Sequence, residues 1–368
     1  MTTRIELSEL ARRGMESVPV YIGDATPCAV DLSDNTNLWG APPAVLRALH
    51  SADVSVLARY PATYAGSLRD ALLEHVGLSG ADGTDVVTGC GSDDVLDSAM
   101  RAFAQPGECI AFSSPTFSMI PTFAQLNGLT PAPVPFAPGF KLDAERLVDA
   151  RAKLTYVCAP NNPTGTHVAR SAIDYIVQNA AGVIVIDEAY AEFAPEVFVD
   201  LCTASDRVLV TRTFSKAFGM AGLRLGYGVG DRNLVRLVTR ARGPYKVNAL
   251  AERAARAALT AGTEGRDWVL GRAVEAIENR QRLVEAVDRR GLTALPSAAN
   301  FILVPTRRAR QLASGLAARG VRVRVIAGMP SQPRELADCE GFGLRIGVGP
   351  WPAMQTFLNA LDEVVACA

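Results

Sequence analysis

TRTFSKAFGMAGLRLGYGVG, residues 211–230, is the most informative segment of the chain, because its lysine directly follows the apolar, strand-like run RVLVTRTF (207–214). Burial disfavours an ammonium ion, so it lowers the pKa of Lys216 and leaves an amine that can attack a carbonyl or an aldehyde. The small residues after Lys216 let the backbone approach a flat ligand, and Arg224 can bind a phosphate through two hydrogen bonds. For an isolated lysine, a strand-end side chain that reaches solvent is the simpler interpretation.

Polar residues also follow three other strand-like runs. Asp187 ends VIVID, APNNPTG (159–165) follows LTYVC, and GCGSDD (89–94) follows VVTG and opens a helix for which Ser92 is the expected cap. The N–H groups of a helix's first turn bind phosphate, and ligands of doubly wound sheets gather at the carboxyl ends of the strands. Four such features at four strand ends predict one site.

Short apolar runs alternate with helix-length segments from about residue 85 onward, which predicts an α/β fold built on a mostly parallel, doubly wound sheet. We assign residues 31–246 to this large domain and residues 1–30, which have no strong periodicity, to an N-terminal arm. The proline-rich stretch 130–140 is expected to be a surface connection.

Residues 247–368 are assigned to a smaller C-terminal α/β domain. The Ala/Arg/Glu-rich stretch 247–290 predicts a long helix, and apolar strands are expected at NFILVP (300–305), VRVRVI (321–326) and GLRIGVG (343–349). Strand alternation in VRVRVI would place Arg322 and Arg324 on one face.

Composition excludes several classes of protein. With 37 Lys+Arg against 38 Asp+Glu, there is no electrostatic case for a nucleic-acid or anionic-membrane partner. No apolar run approaches the ~18 residues of a membrane span, and no secretory signal is visible. Seven cysteines without a CxxC pair suit a reducing compartment, so a cytoplasmic location is expected. Three scattered histidines give no reason to expect a metal site.

APNNPTG, DEAY (187–190) and SKAFGMAGLR (215–224), in that order, resemble the fold-type I pyridoxal-phosphate-dependent aminotransferases of class I/II. The nearest branch is that of the histidinol-phosphate aminotransferases. The resemblance runs from about residue 31 to the C-terminus. Further matching motifs are RYP (59–61), GSDD (91–94), PTFSM (115–119), GPYKVN (243–248) and GLRIGVG (343–349).

The resemblance implies a role for each matching residue. Lys216 would bind pyridoxal phosphate covalently and move a proton at the substrate Cα, Asp187 would pair with the ring nitrogen, and Tyr190 would contact the ring's phenolic oxygen. These three form the implied catalytic set. The implied cofactor-binding residues are Ser92, Asp93, Phe117, Asn162, Asp187, Tyr190, Thr213, Ser215, Lys216, Arg224 and, from a neighbouring subunit, Tyr60, which implies a homodimer with shared active sites. The implied substrate residues are Arg345, Arg324, Asn248, Asn37 and Tyr21.

The implied activity moves an amino group between an amino donor, with glutamate as the first choice, and an oxo compound. Histidinol phosphate and its oxo form, imidazole acetol phosphate, are the first candidate pair. Thr36, Leu38, Phe117 and Ile120 depart from the family pattern near the expected substrate. Alternatives are therefore an aromatic or specialised-metabolite aminotransferase, a decarboxylase or lyase on the same fold, and a non-catalytic binding module. A nicotinamide dehydrogenase is disfavoured because no strand–GxGxxG–helix occurs.

Overall fold

The computed structural model describes residues 10–12, 14–20, 26–330 and 333–366. Within them, the strands are β1 Val30–Asp31, β2 Thr84–Cys90, β3 Cys109–Ser114, β4 Thr130–Pro135, β5 Leu154–Cys158, β6 Val183–Asp187, β7 Val208–Thr213, β8 Leu225–Asp231, β9 Phe301–Pro305, β10 Val321–Arg322, β11 Arg324–Ile326 and β12 Gly343–Gly347. The α-helices are α1 Pro43–His50, α2 Arg69–His75, α3 Ser92–Phe103, α4 Met119–Leu126, α5 Ala144–Asp149, α6 Arg170–Asn179, α7 Leu201–Ala204, α8 Arg232–Arg242, α9 Ala249–Thr260, α10 Arg266–Asp288, α11 Ala309–Ala317 and α12 Trp351–Ala366.

A seven-stranded sheet with the order β2-β8-β7-β6-β5-β3-β4 forms the centre of the large domain. β8 is antiparallel to both of its neighbours, and the other pairs are parallel. One face packs on α3, α4 and α8, and the other packs on α2, α6 and α9. Because helices cover both faces, the central strands are buried along almost their whole length. The expected mostly parallel, doubly wound α/β sheet is confirmed.

The first part of the proline-rich stretch, Thr130–Pro135, is a strand rather than a surface connection. β4 is the edge strand of the large sheet and pairs with β3 in parallel. The amide of Thr130 donates to the carbonyl of Glu108 at 2.9 Å, so alternate residues of β4 direct their N–H groups toward β3. The prolines at 131, 133 and 135 occupy the other positions, where no strand requires a donor.

The C-terminal region contains an antiparallel sheet of order β11-β12-β9 and a parallel pair, β1-β10. The expected single strand at 321–326 is wrong. The strand is interrupted at buried Val323, so β10 and β11 join different sheets. Arg322 pairs with Asp31 at 2.6 Å, whereas Arg324 lies opposite Arg345 on β12. The prediction that both arginines share one strand face is therefore wrong as well.

The expected helix at 247–290 is divided into α9 and α10 by the residues 261–265. Although α9 follows residue 246, its alanines pack with the large-sheet core. Conversely, β1 precedes residue 246 but pairs with β10 of the C-terminal region. Within α10, the part around Val269–Ala276 packs on the large-sheet core, and the part around Leu283–Val287 packs on the small-domain core. We therefore propose a domain limit inside α10 in place of residue 246.

In the described part of the expected arm, Arg12 donates to the carbonyl of Leu126 at 2.9 Å.

No helix in the described ranges combines the length and the apolar character needed to cross a membrane.

Gly226 allows β8 to approach the start of α3. A Cβ atom at Gly226 would lie 2.1 Å from the backbone nitrogen of Ser92, and backbone cannot move aside cheaply. We expect Gly226→Ala to lower the free energy of unfolding by at least about 2 kcal/mol. Gly271→Ala in α10 is the control, because nothing lies within 4 Å of its added Cβ. Urea unfolding followed by circular dichroism measures both variants, and equal stability of the two would contradict the prediction.

Candidate active site

A cavity of about 520 Å³ lies at the carboxyl edge of the large sheet. The last residue of each of four parallel strands, β3, β5, β6 and β7, lines it, as the rule for doubly wound sheets requires. Residues 324–329 of the C-terminal region line its opposite side. The structure brings together twelve of the residues expected from the sequence: Ser92, Asp93, Phe117, Asn162, Asp187, Tyr190, Thr213, Ser215, Lys216, Arg224, Arg324 and Arg345.

Lys216 lies in the turn that follows β7, and its side chain points into the cavity. Its Nζ donates a hydrogen bond to the backbone carbonyl of Asp34 at 2.8 Å. Burial, followed by the positive charge of Arg345, lowers the pKa of Lys216 to about 8. A substantial fraction of this amine is therefore neutral near physiological pH, which is the state that attacks a carbonyl carbon.

Asp187 is a buried carboxyl at the end of β6, with 3% of its surface exposed. Its Oδ2 accepts a hydrogen bond from the phenol of Tyr156 at 2.8 Å, and its Oδ1 accepts from the amide of Ala189 at 3.1 Å and the hydroxyl of Thr211 at 3.3 Å. Burial raises the pKa of Asp187 to about 6, although these donors oppose the rise. The carboxylate is thus suited to a cationic partner within the cavity.

Arg345 and Tyr190 connect the two sides of the cavity. The Nη1 of Arg345 donates to the side-chain oxygen of Asn162 at 2.7 Å, and its Nη2 donates to the carbonyl of Ser33 at 2.6 Å. The hydroxyl of Tyr190 accepts from the amide of Asn35 at 3.1 Å. Burial raises the pKa of Tyr190, so its phenol keeps its proton and can donate to an oxygen anion.

One end of the cavity is suited to an anion. Gly91, with φ +78°, is the cap of α3, so Ser92 is the first helical residue, and the prediction that Ser92 caps the helix is wrong. The guanidinium of Arg224 lies beside the first turn of α3: it donates to the Ser215 hydroxyl at 3.4 Å and lies 3.5 Å from the Asp93 carboxylate. Burial raises the pKa of Asp93. Helix amides, a hydroxyl and a guanidinium together bind phosphate.

Four predicted residues do not line this cavity in the described part of one chain. Tyr60 is 83% exposed and stacks on Tyr245, with ring centroids 4.8 Å apart. Asn37 donates to the carbonyl of Ala217 at 2.7 Å. Asn248 caps α9 and donates to the carbonyl of residue 223 at 3.1 Å. Tyr21 lies outside the described residues.

Sequence reasoning missed Asp34, Asn35 and Tyr156 as residues of the site. Asn35 is 1% exposed and has a left-handed backbone (φ +58°). Asparagine tolerates this backbone conformation better than most residues do. The backbone of Asp34 contacts Lys216, an interaction that no side-chain pattern signals. Tyr156 lies in the apolar run LTYVC, where only its hydroxyl distinguishes it from a core residue.

Comparisons with known proteins identify the family of this chain. The family model "Aminotransferase class I and II" matches residues 28–348. The histidinol-phosphate aminotransferase of Thermoanaerobacter pseudethanolicus is 30% identical, over 98% of this chain and 99% of that protein. The aromatic amino acid aminotransferase of Streptomyces avermitilis is 32% identical, over 97% of this chain and 98% of that protein.

Among solved structures, the fold is similar to that of the histidinol-phosphate aminotransferase from Sinorhizobium meliloti, crystallised in complex with pyridoxal 5'-phosphate. The TM-score is 0.83, the sequence identity is 24%, and the match covers 98% of this chain and 100% of that one. The family match spans most of the chain, from residue 28 to residue 348. The chain therefore belongs to the class I and II aminotransferases, a family of pyridoxal-phosphate-dependent enzymes.

Proposed function

We propose that this aminotransferase moves an amino group between glutamate and imidazole acetol phosphate, the oxo form of histidinol phosphate. The observation that carries this choice is the pair Arg324 and Arg345, which lie opposite each other on β11 and β12 and line the same cavity as Lys216. A phosphate on one substrate and a carboxylate on the other both suit a guanidinium. A relative of 30% identity carries the name of this activity.

The cavity residues fit pyridoxal phosphate. A Cβ atom at Gly91 would lie 2.7 Å from Nη2 of Arg224, so this guanidinium lies against the loop before α3, where the two together would supply donors to a phosphate. The hydroxyls of Thr213 and Ser215 lie at the same end, and the carboxyl of Asp187 lies within the cavity. When bound, the cofactor supplies an aldehyde that bonds to amines and a ring that accepts electrons released at the substrate Cα.

We assign the proton transfer to Lys216. Its Nζ, with a pKa of about 8, carries a proton in one step and is neutral in the other, so it can take a proton from the substrate Cα and return one. When the cofactor is bound, Asp187, as a carboxylate, would hold a proton on the ring nitrogen, and Tyr190 and Asn162 would hydrogen-bond the ring oxygen. Phe117 would stack on the ring.

We also propose a homodimer in which Tyr60 of the partner subunit completes the phosphate site. In one chain, Val54, Leu57 and Tyr60 are each more than two-thirds exposed, an apolar surface that is uncommon on a monomer. The stacking of Tyr60 on Tyr245 orders the tyrosine for such a contact.

For location, we propose the cytoplasm, with small-molecule substrates as the partners. The described cysteines are unpaired, including Cys28 and the exposed Cys90, as is usual in a reducing compartment.

A second candidate is an aromatic amino acid aminotransferase. Apolar residues also line the cavity, among them Pro121 and, in the same segment as Arg324, Val325, Ile326 and Met329. An apolar lining favours an aromatic side chain by ~1–3 kcal/mol. The aromatic aminotransferase from Streptomyces avermitilis is as similar to this chain as the histidinol-phosphate enzyme.

Lys216 is expected to react with added pyridoxal phosphate faster as the pH rises, with a midpoint near 8. Its amine attacks the aldehyde only when neutral, and its pKa is about 8, whereas that of an ordinary lysine is ~10.4. The rate of the absorbance change after mixing with cofactor-free protein measures this between pH 6.5 and 9.5. Lys216→Ala is the control and should show no covalent attachment after borohydride reduction. A rate that still climbs steeply at pH 9.5 would contradict the lowered pKa.

Arg324→Ala should lower kcat/KM for histidinol phosphate about 100-fold and that for phenylalanine less than about threefold, because only the first substrate loses a charge-assisted hydrogen bond. Arg322→Ala is the matched control, since Arg322 binds Asp31 away from the cavity and should alter stability but not this ratio. Half-reactions with histidinol phosphate, phenylalanine and glutamate give the values. A wild type that ignores histidinol phosphate but converts phenylalanine would replace the first candidate with the second.

A shared site predicts complementation between inactive subunits. Lys216→Ala and Tyr60→Ala chains are mixed, and each mixed dimer then contains one site with both groups intact. We expect the mixture to recover about a quarter of wild-type activity, on the assumption of random exchange between equal amounts of the two chains. Tyr175→Ala, at another exposed tyrosine, is the control and should retain activity by itself. Absence of recovery despite subunit exchange, shown with tagged chains, would rule out the shared site.

A further inference from the structure

Tyr156 is a buried polar residue beneath the cavity to which the mechanism above gives no role. It lies in the middle of β5, between β3 and β6, and is 1% exposed. Its hydroxyl donates to Oδ2 of Asp187 at 2.8 Å. Apolar neighbours on the same face of β5, Leu154 and Cys158, show that a hydroxyl is not needed to fill this core.

The hydrogen bonds of Asp187 leave one acceptor position unused. An ionised carboxylate accepts about four hydrogen bonds, two on each oxygen. The amide of Ala189 and the hydroxyl of Thr211 occupy Oδ1, and the phenol of Tyr156 occupies one position on Oδ2. The unused acceptor position of the carboxylate is therefore on Oδ2. Because the phenol of Tyr156 occupies the other position on Oδ2, it determines the direction in which the unused lone pair points.

On the basis of the function proposed above, we propose that Tyr156 is a positioning residue, whose phenol keeps the Asp187 carboxylate ionised and directs Oδ2 at the ring nitrogen of the cofactor. Without this donor, the carboxylate can rotate about its χ2 torsion and is more easily protonated. A protonated or rotated Asp187 no longer stabilises a protonated ring nitrogen, so the ring accepts electrons less readily.

Several titratable groups surround Asp187. Cys158 lies beside it on β5, Tyr190 follows β6, and Asp93 faces it from α3. Burial raises the pKa of the Cys158 thiol and that of the Tyr190 phenol, so both stay neutral between pH 5 and 8. Asp93 is unchanged in all variants compared below, so differences between them report on the contact that is removed from Asp187.

The sign of the pH effect follows from the raised pKa of Asp187. The pKa of Asp187 is about 6 in the folded chain and ~3.9 in the unfolded chain. Binding of this proton therefore stabilises the folded chain at low pH. This contribution to the free energy of unfolding is lost as the pH rises from about 4 to about 6. Removal of the Tyr156 donor raises the folded pKa further. The variant therefore continues to lose stability above pH 6, where the wild type has already stopped.

The test compares full-length wild type, Tyr156→Phe and Tyr156→Met, since the second variant removes the donor with a more adaptable side chain if the first does not fold. Tyr227→Phe is the matched control: this tyrosine of β8 is also 1% exposed but does not line the cavity. Urea unfolding at one protein concentration is measured from pH 5 to 8. We expect the unfolding constant of the Tyr156 variants, relative to wild type, to grow about tenfold over this range, and that of Tyr227→Phe to stay constant.

Two further measurements link Tyr156 to the cofactor. We expect the Kd of pyridoxal phosphate to rise about tenfold in the Tyr156 variants, and kcat to fall about 10- to 100-fold while the KM for glutamate changes less than about twofold. In an Asp187→Asn background, Tyr156→Phe should have no pH-dependent effect. A pH-independent loss of stability like that of Tyr227→Phe, with unchanged Kd and kcat, would overturn the proposal.

The same measurements separate this proposal from the proposed function. If wild type binds pyridoxal phosphate but does not transaminate histidinol phosphate, the substrate assignment fails, whereas the unfolding series and the cofactor Kd still decide the role of Tyr156.

Discussion

The hydrogen bonds of the segment 33–41 hold the site together. This segment has no regular secondary structure, yet its backbone carbonyls accept hydrogen bonds from Lys216 of the large sheet and from Asn300 and Arg345 of the small domain. It also lies so close to the turn after Lys216 that a Cβ atom at Gly219 would lie 2.0 Å from a backbone oxygen. The two sheets therefore meet through this segment, and the position of the reactive amine depends on both.

Burial disfavours the charged forms of both Lys216 and Asp187, although their charges are opposite. It lowers the pKa of Lys216 to about 8 and raises that of Asp187 to about 6, so each group is held nearer neutrality than in water. Such shifts cost folding free energy, about 1.4 kcal/mol per pKa unit. A ligand that reacts with the amine and presents a cation to the carboxylate offsets both costs, and its binding then stabilises the folded chain.

The sequence was sufficient for the central strands and for most of the site, because buried parallel strands are apolar throughout and their polar residues concentrate at the carboxyl ends. It was insufficient where tertiary context decides. β4 was missed because proline is excluded from central strands but tolerated at an edge. Arg322 and Arg324 were assigned to one strand because nothing in VRVRVI signals the interruption at Val323. The contribution of Asn35 depends on a left-handed backbone, and that of Asp34 on a carbonyl.

Under the proposed function, the arrangement of Arg324 and Arg345 assigns substrate selection to their end of the cavity. They lie directly opposite each other on antiparallel strands, where like charges destabilise a sheet by up to ~1 kcal/mol. Arg345 is also anchored by Asn162 and Ser33, so its guanidinium direction is fixed before a ligand arrives. Under the proposed function, an anionic group of the substrate would lie near both guanidinium groups and reduce their repulsion. Substrates with an anionic group at this end would then gain more from binding than apolar ones, whereas Phe117 and Ile326 would offer apolar contacts to both classes.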